Sequence, residues 1–210
     1  DLVRSRGLGD VYKRQEIHRG SLVSLTLSAL ACSPKGMDLP WLDRPRAHAV
    51  TAAMTELTNL GCVRDGVITE AGIHLFSLPL DVDLACLLTQ GANVPGLAEP
   101  TLLLAAALSS GRSLFRKAER DADNPYGDRR RTSDPDDLRA SGCDAVALIE
   151  AMRSGDAQRH GLDYKALSEA RSAADRYRRL GFGDAKWSGK VPRRELAELL
   201  MHAWPGSAQI

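Results

Sequence analysis

Between residues 46 and 80 the apolar positions change period twice. Val50, Ala53, Met54, Leu57 and Leu60 recur at three- and four-residue intervals, which predicts a helix over 46–60 with one buried face. Gly61 stands where a left-handed C-cap closes such a helix. Cys62-Val63-Arg64 and Val67-Ile68 then flank Asp65-Gly66, a pair whose tolerance of positive φ suits the two-residue turn of a β-hairpin. Thr69 is placed to cap a following helix with Glu70 in its first turn, and Leu78-Pro79-Leu80 closes the segment.

Other periodic stretches are helical throughout. Leu22, Val23, Leu25, Leu27 and Leu30 predict a buried helix over 21–32, with Ser21 as N-cap and Pro34-Lys35-Gly36 as its stop. A loop with two prolines follows over 38–45, and Trp41 and Leu42 are expected to pack it onto the next helix. Val82, Leu84, Ala85, Leu87 and Leu88 predict another helix, and residues 97–108, opened by Glu99-Pro100, one more. Residues 121–131 are polar and nearly free of aliphatics, as a mobile loop is. Helices resume over 136–152 and 163–180, the second capped by Asp163. In that helix Tyr164, Leu167, Ala170, Ala174 and Tyr177 make an inner stripe, while Lys165, Glu169, Arg176 and Arg179 share the outer face with Arg171 on its flank. A short amphipathic helix over 194–203 turns Leu196, Leu199 and Leu200 inward and ends at Trp204-Pro205-Gly206. The fold class expected is therefore mainly α: helix, β-ribbon and helix over 16–80 suggest a winged-helix module, followed by a helical bundle.

Composition supports that picture and adds an asymmetry. Apolar residues make up 43% of the 210 and aromatics only 5%, with Ala and Leu prominent. The net charge is only +1, yet residues 21–110 hold four Lys/Arg against eight Asp/Glu and residues 159–194 hold ten against four. A phosphate-facing surface explains the second bias, and so does a solvated helix face. The triplet Arg129-Arg130-Arg131 invites a nucleic-acid reading or a solubilising one, and its neighbouring Asp residues favour the latter. Cys32, Cys62, Cys86 and Cys143 lack CxxC spacing and read as buried free thiols of a cytoplasmic protein. No apolar run reaches the roughly 18 residues of a membrane span. The five histidines have no ligand-like spacing, so no metal site is expected, and His48 and His74 read as surface or packing residues. No Gly-x-Ser-x-Gly elbow is present, and no phosphate-cradling Gly-Lys-Ser/Thr loop, so no catalytic residue is assigned.

Several short motifs, taken in order, resemble the region that follows the second RecA-like domain of DEAH-box helicases, nearest the bacterial HrpB type. They are Glu16-Ile17-His18-Arg19, Leu22, the loop Leu39-Pro40-Trp41-Leu42-Asp43-Arg44-Pro45, Leu60-Gly61, Gly66-Val67-Ile68-Thr69 with Gly72, and Leu78-Pro79-Leu80-Asp81. Leu162, Lys165, Leu167 and Ala170 resemble the motif of the family's helical ratchet domain, with Lys165 where the family usually carries Arg, Asp163 for its Asn and Ala174 for its Arg. The resemblance implies a winged-helix module over 16–80, a ratchet-like bundle over 81–182, and a linker with the truncated start of an OB-type domain over 183–210. Residues 1–15, lacking a starting Met, resemble a translated sequencing-adaptor peptide and are expected to be non-native. By the same resemblance the parent is an ATP-dependent helicase using ATP and Mg, while this fragment binds no cofactor and is catalytically inactive. Its implied partners are single-stranded nucleic acid, RNA ahead of DNA, and the upstream RecA-like domains of the same parent, with no membrane. Lys165, Arg171 and Arg176 are the expected backbone contacts. The alternative is a free-standing winged-helix regulator with a helical dimerisation domain, reading DNA through the 46–60 helix or its neighbour.

Overall fold

The computed structural model describes residues 21–115, 142–157 and 160–203. The expected non-native tail, the Glu16-Ile17-His18-Arg19 motif, the polar loop with its Arg triplet and the Trp204-Pro205-Gly206 stop lie outside the described residues. Among the described residues the chain is mainly helical. Its elements are α1 (Val23–Cys32), α2 (Ala47–Asn59), β1 (Val63–Arg64), β2 (Val67–Ile68), α3 (Glu70–Ser77), α4 (Val82–Ala92), α5 (Ala98–Leu108), α6 (Asp144–Ser154), α7 (Tyr164–Arg179) and α8 (Arg193–Ala203). They form two compact units that divide between Cys86 and Leu87, inside α4.

In the first unit local chemistry sets the path. Gly61, at φ +73°, ends α2: its N–H bonds to the Thr58 carbonyl at 3.0 Å and the Cys62 N–H to the Leu57 carbonyl at 2.8 Å, the paired bonds of a Schellman close. Asp65 (φ 53°) and Gly66 (φ 78°) make the tight turn, and β1 pairs antiparallel with β2 through Val63 opposite Ile68 and Arg64 opposite Val67. Thr69 joins ribbon to helix. Its hydroxyl donates to the Gly61 carbonyl at 2.7 Å and accepts the Gly72 N–H at 3.1 Å at the start of α3. The core gathers Leu22, Val23 and Leu27 of the α1 region with Leu57, Val63 and Leu75, and includes Val82, Ala85 and Cys86.

Two sequence expectations fail here. Leu42 is fully exposed, and it is Trp41 that holds the proline loop, half-buried with its indole N–H on the Met37 carbonyl at 2.9 Å. Ser21 is not the N-cap of α1; Leu22 occupies that position, and the Ser21 hydroxyl accepts the Val23 N–H at a long 3.4 Å.

The second unit is built around α5, whose residues from Glu99 to Ala107 are all buried, so the helix is enclosed rather than amphipathic. It packs against both α6 and α7. Gly91 of α4 lets α5 approach closely, since a Cβ there would sit 2.2 Å from the Thr101 hydroxyl. Helix α6 starts at Asp144, inside the expected 136–152 span and after the left-handed Gly142 (φ +66°) and the extended Cys143, and it runs on to Ser154; residues 136–141 lie outside the described residues. A bridge between Phe115 and Leu162, with the Asp163 N–H on the Leu114 carbonyl at 2.9 Å, ties the end of the α5 loop to the start of α7. In α8, Leu196 and Leu199 are buried as expected, while Leu200 is half-buried. No single helix among the described residues is long and apolar enough to cross a membrane.

Candidate nucleic-acid interface

Among the described residues helix α7 presents the densest cationic surface, and its start is set by one side chain. Asp163 accepts the N–H groups of Lys165 and Ala166, each at 2.9 Å. Ala166, Leu167, Ala170, Ala173, Ala174 and Tyr177 are buried, and the small alanines let α7 lie close to α5. Tyr164, assigned to the inner stripe from sequence, is instead 57% exposed. At about 100° per residue it points roughly 120° away from Ala170, beyond the buried arc.

The three expected contact residues do not share one face. Lys165 and Arg176 are eleven positions apart, which brings them within about 20° on the helix and about 16 Å along it. Arg171 lies about 140° from Arg176. Both Lys165 and Arg176 are exposed. Arg176 borders a dent of about 340 Å³ shared with Ser109, Ser110, Ser168, Glu169 and Ser172. Arg171 faces the opposite flank, where it lines a separate hollow of about 530 Å³ with Gly155, Asp156 and Asp175. Its guanidinium lies against the left-handed Gly155 that ends α6, with Nη2 3.5 Å from the Gly155 carbonyl. A Cβ at Gly155 would collide with that guanidinium. Arg171 is thus part helix-end contact and part surface cation, beside two carboxylates.

Sequence reading missed a cation held by two carboxylates. Arg178 donates to Glu99 Oε1 at 2.6 Å and to Asp175 Oδ1 at 3.2 Å, and Glu99 Oε2 accepts the Asp184 N–H at 3.0 Å. The bond to Glu99 holds the Arg178 guanidinium above its ordinary pKa, against burial, which lowers it. Glu99 also sits in the first turn of α5, where the helix N-terminus favours a negative charge. Left-handed Gly183 (φ +94°) lets the chain pass close to that carboxylate. This cluster joins α5, α7 and the segment after α7, and no sequence spacing announces a pair separated by 79 positions.

The reactive side chains of the first unit are of another kind. Cys62 and Cys86 are buried as expected, but Cys32 and Cys143 are exposed. Burial pushes the Cys86 thiol up to about 12, with Cys62 and Asp83 adding to the effect, and burial likewise raises Cys62. Burial, then Asp81, raises the Asp83 carboxyl; burial, then Asp83, raises Glu56. Such thiols are poor nucleophiles at neutral pH. His48 and His74 are exposed, and among the described residues no group of three His, Cys, Asp or Glu side chains is arranged to hold a metal ion. What α7 offers chemically is cation–phosphate attraction and hydrogen bonding.

A comparison with family models finds no match for this chain, and a search of curated proteins finds none.

Proposed function

We propose that this chain forms part of the accessory region of an ATP-dependent helicase of the DEAH-box, HrpB type, gripping single-stranded nucleic acid through its phosphates without reading sequence. The reading treats the first unit as a winged-helix module and the second as a ratchet-like bundle; ATP and Mg would act in RecA-like domains of the parent, and this polypeptide alone would hydrolyse nothing. The observation that carries it is the exposed flank of α7, where Lys165 and Arg176 stand in line. Arg171 contributes less, because its guanidinium is engaged at Gly155.

One observation counts against the regulator reading through α2, the first of the two helices it could use. Helix α2, which would enter a major groove, exposes Thr51, Thr55 and Thr58, and each hydroxyl donates to a carbonyl one turn back in the same helix. Groups already satisfied within the helix discriminate bases poorly.

The test is salt-dependent binding of the 210-residue chain to a fluorescent single-stranded RNA and to a duplex DNA. Weak, sequence-independent binding to the single strand is expected. Lys165→Ala and Arg176→Ala should each lower the slope of log affinity against log salt by about 0.7, and Arg171→Ala by less. Unchanged slopes in both of the first two variants, or preference for one duplex sequence, would overturn the proposal.

A further inference from the structure

We propose that a hollow between the end of α5 and the start of α6 is a small-molecule site whose ligand is a free apolar α-amino acid. The site uses neither Lys165 nor Arg176, so it stands or falls independently of the phosphate-gripping reading.

The hollow measures about 380 Å³, near the low end of the range for small-molecule sites. Its walls are mostly apolar, made by Ala107, Leu108, Leu114, Phe115 and Leu148. Leu108 is 45% exposed there, although the rest of α5 from Glu99 to Ala107 is buried. Two charges reach the hollow as well. Asp144 stands four positions before Leu148 on the same side of α6, and Arg112 comes from the loop after α5. Both are exposed, and among the described residues neither side chain belongs to an ion pair, with each other or with any third group. The nearby hydroxyls have spent their protons: Ser110 donates to the Ala107 carbonyl at 2.8 Å and Ser113 to the Phe115 carbonyl at 2.9 Å. Arg112 is therefore the side-chain donor facing the hollow, and Asp144 the charged acceptor.

This combination narrows the ligand. A carboxylate without a cation brings like charge toward Asp144, an amine without an anion does the same to Arg112, and a neutral apolar molecule answers neither. An α-amino acid with an aliphatic or aromatic side chain carries all three parts on one carbon. Its carboxylate meets the guanidinium, its ammonium meets Asp144, and its side chain lies against the leucines.

The test titrates the full chain with free L-leucine and follows the methyl NMR signals of Leu108 and Leu148. Glycine, isopentylamine and 4-methylpentanoate, each lacking one of the three parts, serve as comparisons. Leucine should saturate with a Kd of about 1 mM, ordinary for a ligand of that size, and the others should bind about fivefold more weakly. Arg112→Gln should weaken leucine about fivefold and leave isopentylamine no weaker; Asp144→Asn should weaken leucine alike and leave 4-methylpentanoate no weaker, with circular dichroism unchanged in both. Absence of saturation by about 20 mM leucine would overturn the site. So would equal binding of leucine and the two single-charge analogues, or a leucine affinity indifferent to both variants.

Discussion

In the first unit, α2 shows solvent a row of threonines whose hydroxyls are already bonded to their own helix, with the half-buried Glu56 carboxyl nearby on that helix and Asp83 within reach of it. In the second, α7 shows Lys165, Arg176 and Arg179, and Glu99, a carboxylate buried beside α7, is answered by Arg178 and a backbone N–H. Both regions are helices packed on helices, yet only one leaves charge available to a partner. The contrast teaches that the part of the chain with the more distinctive local shape, helix–hairpin–helix, is not the part whose helix exposes a line of cations. Shape there comes from turns and caps, which consume polar groups; the α7 surface keeps its cations because alanines do the packing and Asp163 alone supplies the cap.

Close approaches at two glycines should separate the units most sharply. A Cβ at Gly72 would lie 2.4 Å from the Cys62 carbonyl oxygen, a backbone atom that cannot swing aside. Gly72→Ala should therefore cost the first unit about 3 kcal/mol or more, read as a lost or lowered melting transition, while the helical signal of the second persists. Gly91→Ala, pressed against Thr101, should do the reverse at somewhat lower cost, because a side chain can shift. If either variant lowers both transitions equally, the two units do not unfold separately.

Next in size is the Glu99 cluster. Glu99→Gln keeps the shape and removes the charge that Arg178 and the Asp184 N–H share, so the second unit should lose about 2 kcal/mol in chemical denaturation. A change under about 0.5 kcal/mol would mean that the cluster is solvated rather than structural.

A smaller effect of opposite sign belongs to the first unit. Asp83 and Glu56 have carboxyl pKa values raised in the folded state, so folding holds protons there that the unfolded chain has released. Stability from these groups is present below the ordinary carboxylate range and is lost as pH rises through the raised values. Asp83→Asn should flatten the pH dependence of the first unit's melting temperature just above that range and raise it at pH 7; an unchanged profile would show that the pair is not desolvated.

The mildest test is chemical labelling. Alkylation of the native chain at pH 8 should modify Cys32 and Cys143 in minutes and reach Cys62 and Cys86 only in denaturant. Native-state labelling of Cys86 would contradict its burial.

Read from residues alone, the chain disclosed much that depends on neighbours a few positions away, the Ser21 cap and the inner placing of Tyr164 excepted. The Asp65-Gly66 turn, the caps at Thr69 and Asp163, the close of α2 at Gly61 and the lining-up of Lys165 with Arg176 are short-range matters of backbone sterics and of a 3.6-residue repeat, so local identities are enough. What tertiary structure decided has partners far off in the chain. Arg178 became a structural cation because Glu99, 79 residues away, is enclosed beside it. Arg171, on the flank by its place in the repeat, is engaged there by Gly155 at the end of α6, Cys32 and Cys143 came out exposed, and Leu42 projects into solvent while Trp41 holds the loop. A periodic pattern says which side of a helix is buried; which distant group meets it is settled only when the helices pack.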